Sequence, residues 1–152
     1  MKIVVDSNIV FSAILNTQSK IGQLLINGSK FFDFFSIELL KEEIENHKEK
    51  ILTISGYTHE QYLISYQTIV NQILFVDNVV LQDSSVDKAY QLVKDIDIND
   101  LPFVALNIQL NSMLWTGDKK LANGLKSNHY SKIISTEDLY FKFLEKEFKN
   151  QK

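Results

Sequence analysis

Cysteine is absent from the 152-residue chain. That gap rules out disulfides, thiolate metal sites and cysteine nucleophiles together, so a metal ion could be held only by oxygen or imidazole ligands. Hard divalent cations are then the natural candidates. Arginine is absent too, all 16 basic residues being lysine. A phosphate-bearing partner would meet mobile point charges in place of bidentate guanidinium forks, which favours positioning a backbone over reading bases. Five glycines and one proline leave most turns to Asn, Asp and Ser. A net charge of −3 argues against a broad basic face for nucleic acid, while leaving room for a local basic rim beside an acidic pocket. No run of about 18 apolar residues could span a bilayer. The N-terminus enters a strand pattern instead of a basic-then-apolar signal, so no membrane association and a cytoplasmic location are expected. Low-complexity segments and fixed-period repeats are missing as well.

What is present, 45% hydrophobic and 23% charged residues, suits one compact domain over residues 1–152, its tail frayed from about residue 148. The apolar run Ile3-Val4-Val5 reads as a buried strand ending at Asp6, with a helix at once over 7–15 and a second over 21–26 that stops at Asn27-Gly28. The phenylalanine-rich stretch 30–35 predicts a strand, with Ser36 as the cap of a helix over 38–50. A longer helix is expected from Thr58 to Ile73, a strand over 74–81, helices over 85–93 and 101–110, and a strand over 112–115. Asp118 opens another helix; a strand over 132–135 and a helix from Thr136 to about Phe148 complete the chain. Strands alternating with helices predict an α/β fold, a mostly parallel sheet of about five strands flanked by helices on both faces. Such sheets collect their ligands at strand C-termini.

Three aspartates fall at places of that kind: Asp6 after the first strand, Asp118 after the fourth, and Asp100 at the mouth of the helix from Leu101. Each alone is better explained as a helix cap, because Asp is among the preferred N-cap residues. Together they are harder to dismiss, since carboxylates sharing a crevice repel unless a cation neutralises them. Helical phase selects a fourth acid. On the helix from Glu38, Leu39, Leu40, Ile44 and Ile51 set the apolar face; Glu43 lies within roughly 40° of its centre, whereas Glu42 and Glu45 point well away. His47 shares that side and reads as a packed or rim histidine. The stripe Tyr62, Tyr66, Ile69 and Ile73 is read as core first and as an interaction surface second.

Four stretches, Val4-Val5-Asp6-Ser7-Asn8, Glu38 to Ile44, Asn99-Asp100-Leu-Pro-Phe-Val-Ala-Leu106 and Leu114-Trp-Thr-Gly-Asp118-Lys-Lys-Leu121, resemble the successive motifs of PIN domains from Met1 to about Leu139. The resemblance implies a metal-dependent endoribonuclease whose acidic site is Asp6, Glu43, Asp100 and Asp118, with Asp97 as a further candidate ligand. It implies support from Ser7, Asn8 and Thr116, Mg²⁺ or Mn²⁺ as cofactor, and water attack leaving a 5′-phosphate and a 3′-hydroxyl. Lys119, Lys120 and Lys126 are the candidates for RNA engagement, although lysines in a run also read as a solvated helix face. By the same resemblance the chain would be the toxin of a type II toxin–antitoxin pair, binding a cognate antitoxin and forming a homodimer or higher homo-oligomer. The competing expectation is a catalytically inactive PIN-like module that binds RNA or protein. A phosphotransferase with Asp6 as nucleophile ranks lowest, because Asp6-Ser7-Asn8 lacks the second aspartate of that pattern.

Overall fold

The computed structural model describes residues 1–151. A five-stranded sheet runs β1 (Lys2–Val5), β2 (Asp33–Ile37), β3 (Leu74–Val76), β4 (Met113–Trp115) and β5 (Ile133–Ile134). Its spatial order is β3-β2-β1-β4-β5, with every neighbouring pair parallel. The chain therefore builds outward from β1 to β3, then returns to the other side of β1 to add β4 and β5. Between β1 and β4 the direction of winding reverses, and crevices at that point are where open α/β sheets bind ligands. Ile3, Val4 and Val5 are wholly buried, as expected for a central strand covered on both faces.

Helices α1 (Ser7–Leu15), α2 (Lys20–Gly28) and α5 (His59–Val70) pack on one another, as do α6 (Asp83–Val93), α7 (Leu101–Gln109) and α8 (Lys119–Ser127) in part. Helix α7 lies against β1, β2 and β4. It has little choice, because Phe103, Val104, Ala105 and Leu106 are consecutive and all buried. A capping box joins Thr58 and Gln61 at the start of α5. Tyr62, Ile69 and Ile73 of the helical stripe lie in the core.

Several boundaries differ from the sequence expectation. The strand expected over 30–35 begins at Asp33, because Phe31 and Phe32 donate their N–H groups to the Gly28 carbonyl and complete the last turn of α2. Ser36 is no cap. It sits within β2, fully buried, and its hydroxyl donates to the Val5 carbonyl at 2.8 Å. The helix expected over 38–50 is two helices, α3 (Leu39–Asn46) and α4 (Lys48–Ser55), divided at His47, whose φ of −104° and ψ of 13° break the helical path. β3 stops at Val76. Asp77 then accepts a hydrogen bond from the Val79 N–H and turns the chain into a single 3-10 turn, leaving Val79 85% exposed instead of paired. The last helix, α9 (Thr136–Asn150), stays helical past the point where fraying was expected; Lys152 lies outside the described residues. Among the described residues no helix is long and apolar enough to cross a membrane.

Candidate functional site

Asp6 prolongs the β1–β4 ladder by one bond, its N–H donating to the Trp115 carbonyl at 3.2 Å. The chain then turns into α1, and the Asp6 carboxylate caps that helix by accepting from the Ile9 N–H at 3.2 Å. It is 3% exposed. Burial raises its pKa from 3.8 to about 6 against the pull of hydrogen bonds from the Thr116 hydroxyl and the Ile9 and Asn8 N–H groups, and the charge of Asp118 adds to the rise.

Asp118 stands across the crevice at the start of α8. Its Oδ1 accepts from the N–H groups of Lys120 and Leu121, at 2.9 and 3.2 Å. Its own N–H donates to the Thr116 hydroxyl oxygen at 3.0 Å. Since that hydroxyl also hydrogen-bonds the Asp6 carboxylate, and a carboxylate can only accept, the buried Thr116 side chain links the end of β1 to the start of α8. Replacing Thr116 with Val should break both bonds and strand the Asp118 N–H, lowering stability by about 1–3 kcal/mol. Denaturant unfolding measures the loss; a stability within 0.5 kcal/mol of the wild type would show that the link carries nothing.

Asp100 breaks the cap pattern. It precedes α7, yet its side chain makes no capping bond. Pro102 occupies the first turn and lacks one of the two N–H groups that a capping carboxylate could use. Instead Oδ2 of Asp100 is buried and without a hydrogen-bond partner. Burial first, then the charges of Asp97, Asp6, Asp118 and Glu43, raise its pKa from 3.8 to about 7. Every acid named from the sequence thus acts electrostatically on this one carboxyl.

Glu43 is half-buried on α3, whereas Glu42 and Glu45 are exposed. Burial raises the Glu43 pKa and His47 one turn later opposes the rise. Asp97 is exposed and caps the 3-10 turn leading to Asp100 by accepting from the Asn99 N–H at 2.9 Å. Ser7 is partly buried in the first turn of α1; Asn8 is exposed, its backbone N–H serving Asp6. Lys119, Lys120 and Lys126 are exposed on α8 and pair with no carboxylate among the described residues. Lys20 and Lys30 lie against α9, Lys20 over the Tyr140 ring and Lys30 paired with Glu147 at 2.5 Å.

Two supports had no sequence signal strong enough to single them out. Trp115 is buried just before Thr116 and donates its indole N–H to the Thr136 hydroxyl at 3.0 Å, anchoring the end of β4. Gly124 lets α8 close on Ile96, whose side chain a Cβ there would strike. This close approach presses the Asp97–Asp100 turn toward the helix that carries Asp118.

The donor set is all oxygen, it carries excess negative charge, and one buried oxygen lacks a partner; that chemistry fits a hard divalent cation. Among the described residues, no three Asp, Glu or His side chains are drawn close enough to form a ready ligand set.

Residues 4–138 match the family model described as a PIN domain. No curated protein matches the chain. Among solved structures, VapBC2 from Rickettsia felis, bound to a DNA fragment from its promoter, shares the fold with a TM-score of 0.64 and 16% identity, over 89% of this chain and 97% of that one.

Proposed function

The chain belongs to the PIN domain family, and from that premise we propose that it hydrolyses RNA phosphodiester bonds with the help of Mg²⁺ or Mn²⁺ held by Asp6, Glu43, Asp100 and Asp118. The observation that carries this reading is the Asp100 carboxyl, whose Oδ2 is buried without a partner and which feels the charges of the other acids. A carboxylate kept only for structure gains nothing from such a position.

The chain's own residues do most of the positioning. Hydrogen bonds from Ile9, Asn8 and Thr116 orient Asp6. Bonds from Lys120 and Leu121 hold one oxygen of Asp118. Asp100 contributes the unspent oxygen, and Glu43 closes the set from α3. A divalent ion bound among them supplies a more acidic water and neutralises charge at the scissile phosphate. Water adds to phosphorus and the bond to the 3′ oxygen breaks, giving a 5′-phosphate and a 3′-hydroxyl. Lys119 and Lys120, exposed beside Asp118, attract the RNA backbone without reading its sequence. The fold shared with VapBC2 supports a place as the toxin of a type II toxin–antitoxin pair, with a cognate antitoxin as partner and self-association into a homodimer or larger assembly.

The test is cleavage of a mixed RNA pool by purified protein. Cleavage should require Mg²⁺ or Mn²⁺, stop on addition of EDTA, and fall on the order of 10²–10³-fold in Asp6→Asn, the range seen when one preorganised electrostatic group is lost. Turnover that persists in Asp6→Asn would sink the reading, and RNA binding with no cleavage under any metal would favour the inactive binding module.

A further inference from the structure

A groove of about 350 Å³ lies between α1 and α4, lined by Asn8, Phe11 and Leu15 from one helix and by Lys50 and Ile54 from the other, with His47 at its head. We propose that it is a nucleotide subsite, holding one nucleotide of single-stranded RNA beside the scissile phosphate. The proposal rests on the nuclease reading for its placement next to a scissile bond.

Continuity with the carboxylates comes first. Asn8 follows Asp6 by two residues on α1, and His47 follows Glu43 by one helical turn, so at 1.5 Å per residue the groove opens within about 3–6 Å along each helix axis from an acid of the site. Exposed Lys119 and Lys120 follow Asp118 on α8; Lys50, exposed and paired with no carboxylate among the described residues, lines the groove. Lysines beside Asp118 and in the groove suit a polyanion that runs from the acids into the groove.

The groove's chemistry suits a base better than an extended apolar peptide. The Phe11 and His47 rings meet edge to face, centroids 5.7 Å apart and planes at 79°, forming two perpendicular aromatic walls. Bases in single strands stack on such rings. His47 Nδ1 lies 2.8 Å from the Glu43 carbonyl oxygen. That oxygen can only accept, so in the neutral ring Nδ1 carries the proton and Nε2 is left as an acceptor for a base edge. Asn8 adds a donor and an acceptor in one amide. The apolar floor thus carries polar heads at its rim, the distribution that a base with its phosphate presents.

The experiment uses a fluorescein-labelled eight-nucleotide single-stranded RNA of mixed sequence with Mg²⁺, on an Asp100→Asn background so that the RNA persists. A 4-thiouridine version is cross-linked and the attached peptides are mapped. Cross-links should fall on residues 7–15 or 47–55. Phe11→Leu should weaken binding about 5–10-fold, the loss of part of one stacking contact. Lys50→Gln should weaken it about threefold and reduce the salt dependence by roughly 0.7 of a slope unit, one phosphate contact on a single strand. Lys50 is exposed, so this variant judges the proposal even if Phe11→Leu folds poorly. Ile64→Ala, exposed on α5, is the control and should change nothing. Cross-links absent from both helices, or affinities within twofold for both groove variants, would overturn the subsite, as would a groove that takes only an apolar peptide. If wild-type protein cleaves no RNA, the nuclease reading fails, while cross-linking still decides whether the groove binds a nucleotide.

Discussion

Asp100→Asn is expected to move activity and stability in opposite directions. RNA cleavage should drop on the order of 10²–10³-fold, because the substitution removes the one carboxylate among the described residues with a fully buried oxygen that has no hydrogen-bond partner. In the metal-free protein the same change should stabilise. An amide in place of the carboxylate ends its repulsion with Asp97, Asp6, Asp118 and Glu43, and no cap is lost because Asp100 makes none. The residue is only partly buried, so solvent screening limits the gain to roughly 1 kcal/mol, or about 2–4 °C for a chain of this size. Scanning calorimetry in EDTA at pH 8, beside a cleavage assay in Mg²⁺, reads both quantities. A variant that lost activity by losing stability would refute the assignment. Asp6→Asn provides a contrast, since Asn can keep the bond to the Ile9 N–H but not both bonds as strongly.

The second large effect is a pH dependence that a divalent ion should erase. Asp6 and Asp100 have pKa values raised from 3.8 to about 6 and about 7, so between roughly pH 4 and 7 the folded protein binds more protons than the unfolded chain. Stability drawn from this difference is complete below 3.8 and is lost as pH rises through 6 and then 7. For buried Asp6 the two-unit shift corresponds to about 3 kcal/mol; Asp100 acts in the same direction, as does Glu43, whose pKa is also raised. The metal-free protein should therefore unfold more readily at pH 8 than at pH 5. Millimolar Mg²⁺ or Mn²⁺ should restore stability at pH 8 and have less effect at pH 5, where Asp6 and Asp100 hold protons. Thermal unfolding at the two pH values, with and without the ion, measures this; a profile that is flat or rises toward pH 8 in EDTA would contradict it.

Much of this architecture is readable from short-range pattern. Ile3-Val4-Val5 followed at once by an N-capping Asp6 specifies a strand passing into a helix, because alternation of accessible faces and the capping of orphan N–H groups involve only neighbours. Helical phase alone separates Glu43 from Glu42 and Glu45, and those two are exposed where Glu43 is half-buried. The wrong boundaries have a common cause. Ser36 and Phe31 carry local signals, a cap residue and a strand former, that distant partners override: the Val5 carbonyl takes the serine hydroxyl, and the Gly28 carbonyl takes the phenylalanine N–H. Val79 and Val80 have strand propensity but no strand to pair with beyond β3.

Residue type and spacing by themselves determined that acids would follow β1 and β4 and precede α7, and that no thiolate or guanidinium would accompany them. Only the tertiary structure decided which of those acids caps no helix. β4 pairs beside β1 across more than a hundred residues of chain, so Asp6, Thr116 and Asp118 meet at the reversal of the sheet. Asp100 comes to rest with a buried oxygen that no local donor can reach. Burial and Coulomb interaction depend on distances in space, which spacing along the chain does not contain, and they single out Asp100 as the acid left over once the caps have been filled.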